Sequence, residues 1–81
     1  MRAEDLLNYV RAASFQPFRI VVNSGKVYHI RHPEMIRVLR TTFHVYFVRA
    51  DEPPDAPADR VDMVSLLLIE RVGYIEATTA V

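Results

Sequence analysis

The apolar positions of this chain follow a helical period at the start and then change to the short runs that are typical of strands. In residues 2–13 apolar side chains recur every three or four positions, which predicts one amphipathic helix. Pro17 pushes Gln16 out of helical backbone, so the helix should end before it. Because a single helix of this kind is unstable in water, we expect it to pack on a sheet.

The residues after this helix predict five strands of one antiparallel sheet. Asn23-Ser24-Gly25-Lys26 is a turn signal that makes the first two strands a hairpin. Pro33 cannot donate to a strand ladder, so the second strand should bend there. Residues 35–40 either continue that strand or form a helical turn begun by Pro33. The predicted strands are 18–22, 27–31 with its continuation 35–40, 43–49, 61–64 and 70–76.

These elements define a single mainly β (α+β) domain over residues 1–81. The N-terminal helix is followed by a five-stranded, strongly bent antiparallel sheet or partial barrel over residues 16–76. Residues 50–60 hold three of the five prolines and no apolar periodicity, so we expect a mobile loop there. Residues 65–69 are predicted to form a tight apolar turn, and residues 77–81 a frayed tail.

The hydrophobic content is high for a chain of 81 residues: it reaches 51%. A domain this small has a thin core, so some apolar side chains are expected to cover a partner, for which a second copy of the chain is the simplest choice. We expect residues 43–49 and 61–64 to be the exposed strand edges that pair between copies. No apolar run approaches the ~20 residues of a membrane span. The charged N-terminus and the absence of cysteine are consistent with a cytoplasmic protein.

The charges are balanced overall but divided along the chain. Residues 1–50 contain eight Lys or Arg and three acidic residues, whereas residues 51–81 contain two basic and seven acidic residues. Such a division favours binding of nucleic acid through the basic half, or head-to-tail association of copies. It is equally consistent with cross-strand pairing of opposite charges inside one fold.

The order of predicted elements resembles the Sm-like fold, in particular the bacterial Hfq type, and SH3-like barrels share much of this order. Asn23 and Gly25 lie where that family turns between its first two strands, and residues 64–72 resemble its last strand–turn–strand segment. The resemblance implies a ring of subunits that binds RNA. However, the family's Lys-His pair or Arg-Gly before the last strand has no equivalent in residues 64–68, so no pore-type RNA site carries over.

A second resemblance is local and carries no chemistry. Residues 15–20, Gly25 and residues 30–34 resemble short uncharacterised bacterial proteins that have PFxPF and HPE motifs at this spacing. This resemblance implies kinship of fold alone.

Three histidines, together with Glu34, are the candidate metal ligands: His29, His32 and His44. On a straight strand His29 and His32 point to opposite faces, so only a bend at Pro33 could bring them together. We therefore predict no metal and no cofactor. With no cysteine, two glycines and no nucleophile motif, we also predict no enzymatic activity.

Arginines interleaved with aromatic residues form the one pattern typical of nucleic-acid binding, since arginines neutralise phosphates and aromatic rings stack on bases. The candidate residues are Arg19, Arg31, Arg37, Arg40, Arg49, Tyr28 and Tyr46. The sequence thus leads to a non-catalytic module that forms homo-oligomers. The alternative is an Sm-like ring that binds RNA or single-stranded nucleic acid through this arginine and aromatic face.

Overall fold

A computed structural model describes residues 1–75 as a helix followed by strands. The helix, α1, spans Ala3–Val10. The six strands are β1 (Phe18–Val22), β2 (Val27–Ile30), β3 (Ile36–Val38), β4 (Thr42–Phe47), β5 (Arg60–Ser65) and β6 (Ile69–Tyr74). The predicted mainly β fold with an N-terminal helix is confirmed. No helix in this part of the chain has both the length and the apolar character that crossing a membrane requires.

The strands form two three-stranded antiparallel sheets, with the orders β2-β1-β6 and β3-β4-β5. The prediction of one five-stranded sheet was wrong because Pro33 begins a one-turn 3-10 helix, Pro33–Met35, that divides the second strand into β2 and β3. Both alternatives for residues 35–40 hold in part, since the helical turn ends at Met35 and β3 follows it. Within residues 1–75 the sheets do not close into a barrel.

The chain passes between the two sheets first at Pro33–Met35 and again after β5. The second passage is the 3-10 turn Leu66–Leu68, which lies inside the apolar turn predicted for residues 65–69. The Leu67 N–H donates to the Ser65 hydroxyl at 3.2 Å, which caps the turn. The Asn23 N–H donates to the Leu68 carbonyl at 2.9 Å and ties the turn to the β1–β2 hairpin. In that hairpin Gly25 has a φ of 95°, which explains the glycine at this position.

Helix α1 ends three residues earlier than predicted, because the chain must turn to bring aromatic side chains onto β1. The Tyr9 ring lies 5.1 Å from the rings of both Phe18 and Tyr74. Phe15, just beyond the helix, packs edge-on against Phe18 at 6.0 Å. These contacts join the end of the helix to the first sheet, whereas the helix also packs against β3 of the second sheet, and Leu6 is fully buried beneath it.

The core lies between the two sheets and under the helix. Each large side chain that is fully buried there contributes about 1.5–3 kcal/mol to folding. These side chains are Leu6, Phe18, Ile20, Ile30, Phe43 and Val45.

The strand order corrects one of the two predicted edges. Strand β4 is paired on both sides, so the expectation that residues 43–49 form an edge was wrong. Strand β5 has a partner on one side only, so residues 61–64 do form an edge, and their pairing between copies stays a prediction. The loop between β4 and β5 begins at Val48 and ends at Asp59, close to the predicted range 50–60. The predicted tail 77–81 and the last predicted strand residue, Glu76, lie outside the described residues.

Candidate self-association surface

Strand β5 presents an open edge to solvent. It pairs with β4 over its whole length, and no other strand of residues 1–75 lies on its second side. None of the backbone hydrogen bonds outside the strand ladders involves Arg60–Ser65. The backbone N–H and C=O groups on the second side are therefore free to pair with a further strand.

Apolar side chains flank this open edge. Val61 is 42% exposed and Met63 is 72% exposed, and both point away from the core. In the turn after β5, Leu67 is 88% exposed and Leu68 is 41% exposed, and they add to these apolar side chains. We refer to these four residues as the β5 surface. An apolar group of this kind next to a free strand edge is typical of an interaction site.

The core-facing side of β5 carries a polar contact that fixes the orientation of the strand. Asp62 pairs across the ladder with Val45, so its side chain points to the core side. The Tyr28 hydroxyl donates to Asp62 Oδ2 at 2.9 Å, and Lys26 Nζ donates to the same oxygen at 3.1 Å. Arg60 Nε lies 3.3 Å from Asp62 Oδ1. Because Asp62 is held inward, its neighbours Val61 and Met63 must face outward.

This contact also joins the two sheets, since Tyr28 belongs to β2 and Asp62 to β5. The pKa of Asp62 is lowered, mainly by the hydrogen bond from Tyr28 and next by the hydrogen bond from Lys26. The pKa of Tyr28 is raised, mainly by burial and next by the hydrogen bond to Asp62. At neutral pH the carboxylate is therefore charged and the phenol is neutral, which suits a structural contact. We refer to Lys26, Tyr28, Arg60 and Asp62 as the cross-sheet contact.

The five predicted nucleic-acid arginines do not lie on one face. Arg31 and Arg49 line a hollow of about 280 Å³ beside β4, where Arg49 Nε lies 3.7 Å from Glu52 Oε1. Arg37 and Arg40 line a groove beside α1. Arg19 lies on β1, in the other sheet. The arginines therefore occupy three separate places.

The two predicted tyrosines have different environments. Tyr28 is only 5% exposed, and its ring packs edge-on against Phe43 at 5.9 Å. A buried ring of this kind is not available to stack on a base. Tyr46 is half-buried on the outer face of β4, opposite Val61. Tyr46 therefore lies beside the β5 surface.

The three candidate histidines are not brought together. His29 pairs with Arg19 in the first sheet, whereas His44 pairs with Arg37 and Met63 in the second. His32 lies in the turn between the sheets. Among residues 1–75 no group of three or more His, Asp or Glu side chains has a geometry that could hold a metal ion.

Sequence reasoning missed the cross-sheet contact and the exposure of Met63. The alternation of apolar and polar residues in Val61–Asp62–Met63 was a usable signal, because it separates two faces of one strand. Which face points inward depends on Tyr28, which lies 34 positions away in sequence. That pairing has no local sequence signature.

Comparison of the chain with protein-family models, with curated proteins and with solved structures gave no match. Within residues 1–75 the observations thus define a small mainly β protein with two three-stranded sheets, in which the edge strand β5 carries exposed apolar side chains. The resemblance to Sm-like and SH3-like proteins stays a prediction from element order.

Proposed function

We propose that this protein is a non-catalytic binding module that associates with copies of itself through the edge of β5. The observation that carries the proposal is the coincidence of a free backbone edge with exposed apolar side chains on the same strand. Either feature alone is common, but together they provide both the hydrogen bonds and the apolar area of a strand-addition interface.

The composition supports the same proposal. Half of the residues are hydrophobic, and the most exposed large apolar side chains of residues 1–75, Leu67 and Met63, both belong to the β5 surface. Covering this surface with the same surface of a second copy would remove both sets of side chains from water at once. An isologous contact of this kind is the commonest arrangement of homo-oligomers.

The test is the concentration dependence of the molecular mass, measured by sedimentation velocity and by native mass spectrometry. We expect a dimer or larger species at high micromolar concentration. Two copies would indicate simple edge pairing, whereas several copies in a closed species would indicate the ring that the Sm-like resemblance implies. A monomer across the whole concentration range would contradict the proposal.

The variant Met63→Lys places a charge on the open edge and should shift the protein to monomer, because lysine on an edge strand opposes strand addition. Since Met63 is 72% exposed, the stability of the single chain should change by no more than about 0.5 kcal/mol. Val27→Lys is the matched control, because Val27 is an exposed apolar residue (42%) on a strand of the other sheet. Because β2 is also an edge strand, equal loss of association in both variants would show that the effect is not specific to β5 and would reject isologous pairing of the β5 edge.

A further inference from the structure

A groove runs between α1 and β3, the edge strand opposite β5 in the β3-β4-β5 sheet. It consists of two adjoining hollows of about 390 Å³ and 310 Å³. Their walls share Leu7, Arg37 and Val38. One hollow extends to Ala3, at the start of the helix, and the other to Val10, at its end. The groove therefore follows the length of α1.

Three arginines are distributed along this groove. Arg40 lines the first hollow, Arg37 lines both, and Arg11 lines the second. All three are exposed, and none of them takes part in an ion pair or a side-chain hydrogen bond within residues 1–75. No Asp or Glu lines either hollow. The groove is thus positive along its whole length, not at one end only.

The remainder of the lining is aliphatic. From the helix, Ala3, Leu7 and Val10 face the groove at the spacing of one helical stripe. From the sheet side it is lined by Ile36, Val38 and Leu39, the last of which is 37% exposed. No aromatic side chain lines either hollow, so the groove provides no ring on which a base could stack.

The backbone of β3 adds hydrogen-bonding capacity. The Leu39 N–H donates to the Thr42 carbonyl at 2.8 Å, and hydrogen-bonded pairs alternate along an antiparallel ladder. Arg37 therefore exchanges hydrogen bonds with His44, and the N–H and C=O of Val38 point to the side of β3 away from β4. Helix α1 contacts β3, so a peptide backbone can reach this side of the strand only where the groove leaves it uncovered.

We propose that this groove binds an acidic linear peptide segment that carries aliphatic side chains between its carboxylates. The spread of the arginines over the full groove fits a ligand with charges along its length, unlike an amphiphile with a single anionic head group. The aliphatic lining without aromatic rings fits a peptide better than RNA or single-stranded DNA. This proposal concerns the groove and not the open edge of β5, and it does not depend on self-association. The groove and the β5 surface adjoin at Leu67, which lines a hollow together with Ala3 and Arg40.

The probe is a fluorescein-labelled peptide, Glu-Leu-Asp-Glu-Val-Glu-Asp-Leu-Glu-Ser. Its ten residues are more than the groove needs: α1 has eight residues and is about 12 Å long, which an extended peptide covers with about four residues, so several registers can bind. Fluorescence anisotropy is measured against the full chain at low salt. A labelled oligo(U) of similar charge is the comparison ligand. Affinity for the peptide should fall several-fold between about 20 mM and about 200 mM salt, since exposed charges are screened.

The double variant R37E/R40E reverses two groove charges and should weaken peptide binding at least about tenfold, because like charges then face each other. The matched control is R19E/R31E, which changes the net charge by the same amount at two exposed arginines outside the groove. We expect the control to lose no more than about twofold. Circular dichroism of both variants checks that each is folded.

Four results would overturn the proposal. The first is absence of peptide binding at low salt, and the second is equal weakening of peptide binding in both double variants. The third is tighter binding of oligo(U) that R37E/R40E abolishes. The fourth is loss of self-association in R37E/R40E without any peptide binding. The third result would assign the groove to nucleic acid, and the fourth would make it a contact between copies. Peptide binding that is selective over oligo(U) and lost only in R37E/R40E would establish the groove as a peptide site.

Discussion

Replacing Tyr28 with phenylalanine removes a single hydroxyl from the cross-sheet contact, and we expect it to lower the free energy of unfolding by about 1–2 kcal/mol. The hydroxyl donates to a charged carboxylate oxygen of Asp62 at 2.9 Å, and hydrogen bonds to charged groups contribute about 1.5–3 kcal/mol. The Asp62 side chain is 21% exposed, which places the effect in the lower part of that range. The ring stays in place against Phe43, so no cavity should form.

The partner variant Asp62→Asn keeps the shape of the side chain but removes its charge. Lys26 and Arg60 then lose their ionic partner, so we expect a loss of similar size. Combining both substitutions gives a double-mutant cycle, and we expect a coupling energy of about 0.5–1.5 kcal/mol because the two groups are in direct contact. The assay is urea unfolding followed by circular dichroism. For a domain of this size each lost kcal/mol should also lower Tm by roughly 4–8 °C.

The pH dependence gives an independent check with a defined sign. The folded-state pKa of Asp62 is lower than its usual value of 3.8. Its contribution to stability is therefore complete above this value and is lost as the pH falls through the folded-state pKa. The difference in stability between the wild type and Asp62→Asn should be constant near neutral pH and should shrink in acid below about pH 4.

The pKa of Tyr28 sets the alkaline end of the pH range in which the contact is stabilising. Its pKa is raised above 10.0, so its contribution is complete below that value and is lost as the pH rises through the folded-state pKa. A coupling energy of zero in the cycle, or a wild-type advantage over Asp62→Asn that persists unchanged in acid, would refute the assignment of Asp62 as the charged acceptor between the sheets.

Two further predictions concern the core and the hairpin. Phe43→Ala removes a fully buried ring from the central strand β4 and should lower the free energy of unfolding by about 3–5 kcal/mol in urea denaturation, enough to unfold a domain of marginal stability. A stable Phe43→Ala variant would contradict the placement of this ring in the core. Gly25→Ala should lower Tm by several degrees, since a φ of 95° disfavours any Cβ although no atom lies within 4 Å of its position. An unchanged Tm would show that the turn can relax.

The sequence predicted the strands well because their signals are local. The run Phe18–Val22 is β-branched and aromatic, is bounded by Pro17 and by a turn, and forms a strand with those same limits. The break at Pro33 was also predictable, since proline lacks the donor that a continuous strand needs. The division into two sheets was not, because it depends on which strands share hydrogen bonds after the break.

The candidate surfaces were less accessible to prediction for the same reason. The arginines were recognised as a set by their residue type, yet they lie in three places because β1, β3 and the loop after β4 belong to different parts of the fold. The groove beside α1 forms because the fold brings Leu7 and Val38 to the walls of the same hollow, and these residues are 31 positions apart in sequence. Residue type alone does not contain such long-range contacts.

The charges on β5 are compatible with the proposed self-association through this edge. Charged side chains on an edge strand normally oppose pairing with other chains, because burying an unpaired charge is costly. On β5 the two charges, Arg60 and Asp62, are 3.3 Å apart, and Lys26 reaches the same carboxylate. An incoming strand would therefore meet charges that already have partners within the fold. Disrupting this pairing with Asp62→Asn leaves Arg60 and Lys26 without an acid, so this variant should also associate more weakly than the wild type.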